Sequence, residues 1–378
     1  MIHRTAACSH PAVSMDDLAA TLGIAGHDRP TDLDFVARAL GLIDGDRRRS
    51  VDTALLPVTL PRLPGIDLYF KDEAAHPTGS LKHRLARALF LSGIVNGTIR
   101  EGMAVVEASS GSTAVSEAYF ARMLGLPFHA VMPKTTSPTK INAIRVLGGF
   151  CHLVDPAMVY AEAEAVAAGL GGVYLDQFTF AERVSDWRCD NLAAALLAQM
   201  AGEGHPVPDW IVVGAGTGGT AATIGRHLRY RRLPTRLCVA DVEHSAFFEG
   251  YVEGCRERAC PRPSRIEGVG RPRIEPSFVP EIIDRMLKIP DAVSFAGMRI
   301  ASELLGRRVG ASTGLNFVAA ALIGRDMAAS GRSGSIATLI CDSGDRYLTT
   351  CHSDDWLAEQ DFAAPVADAE RLLRAALL

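Results

Sequence analysis

Short apolar segments alternate with longer segments of helical period along most of the chain, beginning near Asp67. Several short segments are apolar at consecutive positions and rich in β-branched residues, which is typical of parallel strands that helices cover on both faces. The predicted strands are residues 67–71, 103–108, 128–132, 150–154, 173–176, 210–214, 236–241 and 335–341. The predicted helices are residues 80–95, 113–124, 139–147, 158–168, 191–200, 219–230, 292–305 and 315–329. This alternation predicts an α/β fold.

Two regions depart from this alternation. Residues 1–50 contain two helix-like stretches, 14–22 and 32–42, and we predict an extension that docks on the rest of the chain or contacts a second copy. A helix-turn-helix in the first stretch is not supported, since no basic recognition helix follows it. Residues 250–276 are rich in Arg, Pro and Gly, and their length predicts a long surface insertion.

The composition narrows the choice of partner. Of 378 residues 48% are hydrophobic, and 43 acidic against 39 basic residues give a formal net charge of -4 without any basic block. These values favour a small-molecule partner over nucleic acid, and no apolar run is long enough for a membrane span. The eight cysteines are scattered and lack zinc-like spacing, so we predict reduced thiols and no metal site. Without a signal-like apolar run, the expected location is the cytoplasm.

The first candidate for chemistry is Lys82, in the segment Pro-Thr-Gly-Ser-Leu-Lys-His-Arg. The segment follows a predicted strand and opens a predicted helix, where Thr78 or Ser80 can act as the N-cap. The positive end of the helix dipole, together with His83 and Arg84, favours the neutral amine of Lys82, which is the form that makes a Schiff base. The alternative is an ordinary solvated lysine at a helix start.

The second candidate is the segment Gly-Ala-Gly-Thr-Gly-Gly-Thr at residues 214–220, again between a predicted strand and a predicted helix. Glycines there let successive backbone N–H groups converge on an anion, and Thr217 and Thr220 add hydroxyl groups. A phosphate site is one interpretation. A dinucleotide fingerprint with Asp241 as the ribose contact is a second, and a structural turn is a third.

Two further loops have the same position between strand and helix. Residues 109–113 present hydroxyl and N–H groups without a charged side chain, which suits a carboxylate, although a simple N-cap turn is also compatible. Residues 310–314 precede another predicted helix, and Gln177 follows the predicted strand 173–176. Because the carboxyl ends of parallel strands meet at one edge of a sheet, we expect these loops to define one crevice.

Taken together, these segments resemble the fold type II pyridoxal-phosphate enzymes of the cysteine synthase and cystathionine β-synthase family. The resemblance covers residues 53–350, and more particularly the chain is similar to actinobacterial L-cysteine desulfhydrases. The narrower match lies in residues 77–84, 109–122, 176–179, 186–188 and 266–273.

The resemblance implies a role for each site residue. Lys82 holds the cofactor pyridoxal 5'-phosphate as a Schiff base and is the catalytic residue, and Ser312 faces the pyridine nitrogen. The implied cofactor-binding residues are Lys82, Ser112, Gly216, Thr217, Gly218, Gly219, Thr220 and Ser312. The implied contacts for the carboxylate of an amino-acid substrate are Ser109, Ser110, Gly111, Thr113 and Gln177. The one departure is Ser112, where the synthases carry an asparagine whose amide contacts the phenolic oxygen of the cofactor.

The resemblance also implies an architecture of two three-layer α/β/α domains with mostly parallel sheets, in a homodimer. The larger, cofactor-binding domain comprises residues 51–100 and 180–352, and a smaller, mobile domain with the substrate loop comprises residues 101–179. Residues 1–50 are the N-terminal helical extension, and residues 353–378 are a C-terminal tail.

The implied reaction is β-elimination on cysteine through an aminoacrylate, which gives pyruvate, ammonia and sulfide. A neutral Ser312 does not enforce protonation of the ring nitrogen, and this favours expulsion of the β-substituent over a long-lived carbanion. The alternative is a β-replacing synthase that uses O-acetylserine or O-phosphoserine with sulfide or another nucleophile. Two more distant interpretations are a nicotinamide-dependent oxidoreductase and a non-catalytic pyridoxal-phosphate-binding protein.

Overall fold

Two separate β-sheets organise the chain in a computed structural model that describes residues 32–50 and 52–378. In chain order the strands are β1 Leu55–Val58, β2 Ile66–Asp72, β3 Val105–Ala108, β4 Phe128–Pro133, β5 Phe150–Val154, β6 Val173–Tyr174, β7 Trp210–Gly214, β8 Arg236–Val242, β9 Arg285–Ile289 and β10 Gly334–Ile340. One sheet has the spatial order β1-β2-β10-β7-β8-β9, and among these strands only β1 is antiparallel to its neighbour. The other has the order β5-β4-β3-β6 and is parallel throughout.

The helices follow the strands along the chain. They are α1 Leu33–Ser50, α2 Lys82–Val95, α3 Ser112–Leu124, α4 Pro138–Arg145, α5 Val159–Gly169, α6 Gln177–Val184, α7 Leu192–Met200, α8 Gly219–Arg231, α9 Ala246–Glu253, α10 Asp291–Leu304, α11 Ala311–Ala329, α12 Asp354–Glu359 and α13 Ala363–Leu377. Among the described residues, none of these helices has the length and apolar character needed to cross a membrane.

Burial on both faces explains the consecutive apolar positions of the strands. All four residues of β3 and all seven of β10 are buried. Helices α10 and α11 pack on one face of the six-stranded sheet, and α7 and α8 pack on the other. The predicted α/β class with mostly parallel sheets is therefore confirmed.

The sequence pattern missed elements whose signal is short or mixed. Strand β1 has four residues with Pro57 inside it and pairs only at the sheet edge, and β9 mixes Arg285 and Lys288 with its apolar residues. Helices α6, α9, α12 and α13 were also not predicted from the pattern. The first three are only six to eight residues long, which leaves too few turns for a clear helical period.

Both ends of the described chain pack on the rest of the protein. Helix α1 runs to Ser50 rather than ending at residue 42, whereas the predicted helix at 14–22 lies outside the described residues. At the other end, Val366 and Leu377 of α13 are buried, and Arg374 Nη2 lies 2.6 Å from Glu303 Oε2 of α10. The boundaries of the predicted domains stay predictions.

Two glycines bring α10 and α11 into backbone contact beneath the six-stranded sheet. A Cβ on Gly314 of α11 would lie 2.2 Å from the carbonyl oxygen of Ser294, and a Cβ on Gly297 of α10 would lie 2.7 Å from that of Gly314. The sequence pattern placed Gly314 in a loop, which is wrong, because α11 already begins at Ala311. The close approach sets the spacing of two helices that cover one face of the sheet.

We expect Gly314→Ala to lower the free energy of unfolding by about 1–3 kcal/mol, because the added methyl group forces two packed helices apart. The matched control is Gly41→Ala in α1, where a Cβ would meet nothing within 4 Å. Alanine there should stabilise the helix by about 0.5–1 kcal/mol. Urea unfolding of both variants checks the prediction, and equal stabilities would contradict it.

Candidate functional site

A cavity of about 590 Å³ is lined by the carboxyl ends of strands from both sheets, with Ala108 and Pro133 on one side and Gly214 on the other. The predicted loops meet here. Every predicted site residue except Gly219 contributes to the wall. Gly219 instead packs against α6, where a Cβ would lie 2.8 Å from the Cβ of Ala181.

Lys82 is the first residue of α2 and lies half-buried in this wall. The backbone N–H of Leu81 donates to the carbonyl of Cys341 at 2.9 Å, so the end of β10 fixes the start of the helix. Gly79 provides the left-handed conformation (φ 66°) that turns the chain towards it. The Ser80 hydroxyl accepts the N–H of Lys82 at 3.2 Å and thereby satisfies one free donor of the first turn.

Burial lowers the pKa of Lys82 below its usual range. Cys341 and Asp342, which follow β10, oppose this shift only in part. The direction is the one predicted from the sequence, but the cause is different. Arg84 Nε lies 2.6 Å from the buried Glu73 carboxylate, and His83 Nε2 lies 2.9 Å from the carboxylate of Asp46. Neither neighbour therefore brings an uncompensated positive charge to the lysine.

The glycine-rich loop leads into α8 through backbone that side chains would obstruct. Gly218 has φ 93°, and a Cβ on Gly216 would lie 2.1 Å from the carbonyl oxygen of Gly268. The Thr217 hydroxyl accepts the N–H of Gly219 at 3.2 Å. The loop carries no charged side chain, so its N–H groups and the helix N-terminus are what it offers to an anion.

Asp241 does not reach this loop, which removes the support for a dinucleotide site. Its side chain is fully buried at the end of β8 and accepts the N–H groups of Val242 at 3.0 Å and Phe248 at 2.9 Å. Burial raises the pKa of Asp241 to about 7. The carboxyl group organises the turn into α9 rather than facing the cavity.

Gln177 and the loop 109–113 approach each other across the smaller sheet. Gln177, predicted to follow the strand 173–176, begins α6, with Asp176 in a left-handed conformation (φ 48°) as the N-cap. The Thr113 hydroxyl donates to the side-chain oxygen of Gln177 at 2.8 Å. This contact leaves the amide N–H groups of Gln177 as the donors directed to other partners.

Two buried glutamates support this part of the wall. Glu107 Oε2 accepts the backbone N–H of Gln177 at 3.1 Å, and its Oε1 accepts that of Ala108 at 2.7 Å. Both carboxyl oxygens of Glu117 are buried without a donor among the described residues. Burial raises the pKa of Glu107 to about 8, and burial and the neighbouring Glu107 raise the pKa of Glu117 well above its usual value. At neutral pH the pair therefore retains a proton.

The segment after β10 contributes groups that sequence reasoning did not assign. Arg346 Nη1 donates to the hydroxyl of Ser112 at 2.8 Å, and its Nη2 donates to the carbonyl of Thr78. The Tyr347 hydroxyl donates to Asp342 Oδ2 at 2.5 Å, and burial raises the pKa of Asp342 to about 6. The guanidinium of Arg346 is thus hydrogen-bonded to Ser112, the position at which this chain departs from the synthases.

Ser312 lies in the first turn of α11, where the predicted loop 310–314 has become helix. It is buried and lines the cavity close to the end of β10. The next residue, Thr313, accepts the backbone N–H of Cys341 through its hydroxyl at 3.0 Å. The first turn of α11 and the end of β10 therefore hold Ser312 in place together.

Residues 252–263 are mostly exposed, as predicted for a surface insertion, but Ile266 and Glu275 are buried and residues 266–272 line the cavity. The sequence did not reveal this second part, since its apolar positions are too few for a strand or helix pattern. Arg271 Nε lies 3.0 Å from Glu275 Oε1, and the guanidinium lies 4.0 Å from the ring centroid of Phe178.

Polar contacts join this wall segment to helices of the smaller sheet. Lys140 Nζ of α4 lies 2.7 Å from Glu267 Oε1, and the Tyr160 hydroxyl of α5 donates to Glu275 Oε1 at 3.2 Å. Lys140, Tyr160 and Glu267 all line the cavity. The separation of these residues along the chain explains why no sequence pattern revealed the contacts.

Comparison with known proteins identifies the family of this chain. Residues 51–342 match the family of pyridoxal-phosphate dependent enzymes. The chain belongs to this family. A curated member, L-cysteine desulfhydrase Cds1 of Mycobacterium tuberculosis, is 58% identical over 337 residues, which cover 87% of this chain and 92% of that protein.

More distant members include synthases. The cysteine synthase of Aquifex aeolicus is 28% identical and covers 79% of this chain and 87% of its own. The crystal structure of O-ureido-L-serine synthase superposes with a TM-score of 0.72 at 25% identity, covering 84% of this chain and 98% of that one. The fold type II assignment is therefore confirmed.

The residues of the cavity fit the cofactor of this pyridoxal-phosphate-dependent family. A lysine whose amine is biased towards the neutral form lies in one wall, and an uncharged glycine loop at a helix N-terminus lies in another. Lys82 would hold the aldehyde carbon, and Gly216, Gly218 and Thr220 would hold the phosphate. The individual roles of the site residues stay predictions.

We expect the stability of the protein to fall as the pH rises from about 5 to about 8. Folding raises the pKa of Glu107 from 4.5 to about 8, so Glu107 keeps its proton in the folded chain over this interval but loses it in the unfolded chain. In Glu117→Gln the amide can donate to Glu107, so the fall should be shallower. Glu101→Gln, at an exposed glutamate, is the control.

Urea unfolding at a series of pH values between those limits measures the slope. If stability falls with pH as steeply in Glu117→Gln as in the wild-type protein and in Glu101→Gln, then Glu107 and Glu117 do not retain a proton at neutral pH.

Proposed function

We propose that the protein catalyses pyridoxal-phosphate-dependent β-elimination on cysteine, giving pyruvate, ammonia and sulfide. The observation that carries this proposal is the 58% identity to an L-cysteine desulfhydrase over almost the whole of both chains. The cavity supports it, because an amine, an anion loop and an uncharged hydroxyl loop face one another there.

The substrate is held through its carboxylate. Ser109 and Ser110 offer hydroxyl groups just before α3, and Gln177, whose side-chain oxygen already accepts the hydroxyl of Thr113, offers amide N–H groups. Because no carboxylate side chain stands in the loop 109–113, nothing there repels the anion. Holding the carboxylate in this way fixes the direction of the Cα–H bond relative to Lys82.

Lys82 would act as the base that takes the proton from Cα of the bound substrate. The lowered pKa of its buried amine favours the neutral form that this step requires. The bound cofactor supplies the electron sink for the pair left at Cα. Ser312, which would face the pyridine nitrogen, is neutral and does not enforce protonation of that nitrogen.

A β-replacing synthase is the second candidate, in which O-acetylserine or O-phosphoserine reacts with sulfide or another nucleophile. The observation that favours it is the similarity to synthases, among them the N-(2-amino-2-carboxyethyl)-L-glutamate synthase of Ralstonia nicotianae at 30% identity over 77% of this chain. An oxidoreductase lacks such support, since Asp241 is buried away from the glycine loop.

We also propose a cytoplasmic location and a homodimer with a mobile smaller domain. The seven cysteines among the described residues are free thiols, as a reducing compartment permits. Size-exclusion chromatography with light scattering tests the dimer separately from the activity.

We expect purified holoenzyme to release pyruvate and sulfide from L-cysteine at equal rates, and Lys82→Ala to reduce the rate by at least about 10³-fold, since the base and the cofactor anchor are the same group. The control is Lys134→Ala, an exposed lysine paired with Asp155 at the surface. Production of cysteine from O-acetylserine or O-phosphoserine and sulfide, without pyruvate from cysteine, would identify the synthase instead.

A further inference from the structure

Helix α1 meets two helices whose first residues belong to the cavity. These are α2, which begins at Lys82, and α3, which begins at Ser112. The contact is polar and centred on Asp46, which is 1% exposed. Asp46 Oδ2 accepts the Nε2–H of His83 at 2.9 Å, and its Oδ1 accepts the hydroxyl of Tyr119 in α3 at 2.9 Å.

The hydrogen bonds continue from Asp46 to the loop before Lys82. Burial lowers the pKa of His83, which keeps the ring neutral. Because Nε2 carries the proton given to Asp46, Nδ1 is an acceptor, and the Thr78 hydroxyl lies 3.3 Å from it. The Thr78 oxygen is 2.9 Å from the hydroxyl of Ser116 in α3. In this hydrogen-bonded chain, Asp46–His83–Thr78–Ser116, every donor points the same way: Ser116 donates to Thr78, Thr78 to His83, and His83 to Asp46.

Every member of this chain is at least nine-tenths buried, so water does not compete for its bonds. The His83 ring is also held from its faces, with His76 stacked at 5.0 Å and Phe120 at 4.9 Å between ring centroids. Arg87 approaches Asp46 at 3.9 Å and balances its charge. The ring has little freedom to turn while the carboxylate is present.

Two positions next to the cavity depend on this arrangement. His83 follows Lys82 directly in the first turn of α2, so the position of its ring restrains the backbone that carries the lysine. Thr78 lies in the preceding loop, where its carbonyl is bonded to Arg346 and its hydroxyl to the chain. A shift of Asp46 would therefore be passed to Lys82 from both sides.

We propose that Asp46 is a positioning residue: helix α1 uses its buried carboxylate to orient His83 and Thr78, and through them it places the amine of Lys82 in the cavity. This role concerns the placement of the lysine and holds whichever β-substituent the enzyme removes. Helix α1 is then part of the functional unit rather than an accessory to it.

Asp46→Asn is the sharpest variant, because the amide has the same shape but replaces one of the two acceptor oxygens with an N–H donor, so that His83 and Tyr119 can no longer both donate to residue 46. An N–H facing Nε2 moves the His83 proton to Nδ1 and reverses the direction of the hydrogen bond to Thr78. The matched control is Arg47→Gln, which removes the exposed pair of α1 with Asp190 (2.7 Å) and leaves the buried chain untouched.

The experiment mixes holoenzyme with hydroxylamine, which displaces Lys82 from the cofactor, and follows the visible absorbance of the bound cofactor. We expect the displacement to be about tenfold faster in Asp46→Asn, since a misplaced lysine holds the cofactor less well. With cysteine as substrate, kcat should fall about tenfold while KM changes less than about twofold. Arg47→Gln should match the wild-type protein in both.

A hydroxylamine rate in Asp46→Asn within about twofold of the wild-type rate would overturn the proposal. The absorbance measurement does not require turnover of cysteine, so it also separates failure here from failure of the proposed function.

Thr78→Val provides a second test that is independent of a general loss of stability. If Asp46 acts through His83 and Thr78, Asp46→Asn should raise the hydroxylamine rate by clearly less than about tenfold when Thr78→Val is already present, because one of the two routes to Lys82 is then lost. Effects that multiply in the double variant would show that Asp46 does not act along this chain, and they would overturn the proposal.

Discussion

The parallel pairing of β10 with β2 is the interaction on which the arrangement of the site depends. It places Ile340 opposite Asp72, so that both strands end at the same level. The chain leaving β10 then meets the chain approaching α2, where the carbonyl of Cys341 accepts the N–H of Leu81. This register therefore helps to position Lys82, and the segment after β10 also carries Arg346, which donates to the hydroxyl of Ser112.

A second consequence of the two-sheet arrangement concerns charge. The cavity has a lysine and a glycine loop on the side of the six-stranded sheet, and hydroxyl groups with a neutral amide on the side of the smaller sheet. Of the acidic groups close to it, Glu107 and Asp342 are buried and have pKa values raised by burial, and Glu267 is paired with Lys140. The site can therefore receive a phosphate and a carboxylate together without a strong local excess of negative charge.

The sequence was sufficient for the fold class and for most strands, because strand ends and glycine turns have a local signal, and the family resemblance supplied a list of site residues that nearly all line one cavity. It was insufficient wherever the reason for a residue lies far along the chain. The contact of Arg346 with Ser112 spans 234 residues, and that of Lys140 with Glu267 spans 127. Asp241 misled in the opposite direction: its spacing suits a ribose contact, but its orientation is decided by the turn into α9.

The close approach of Gly216 to the carbonyl of Gly268 constrains two loops that are distant along the chain. Since no side chain separates them, a change in the course of either backbone must be accompanied by a change in the other. Redesign of the wall formed by residues 266–272 to admit a larger substrate should therefore spare Gly268 and alter side chains on either side of it. Variation in substrate choice among related enzymes is then expected to accumulate in side chains around a backbone contact that stays constant.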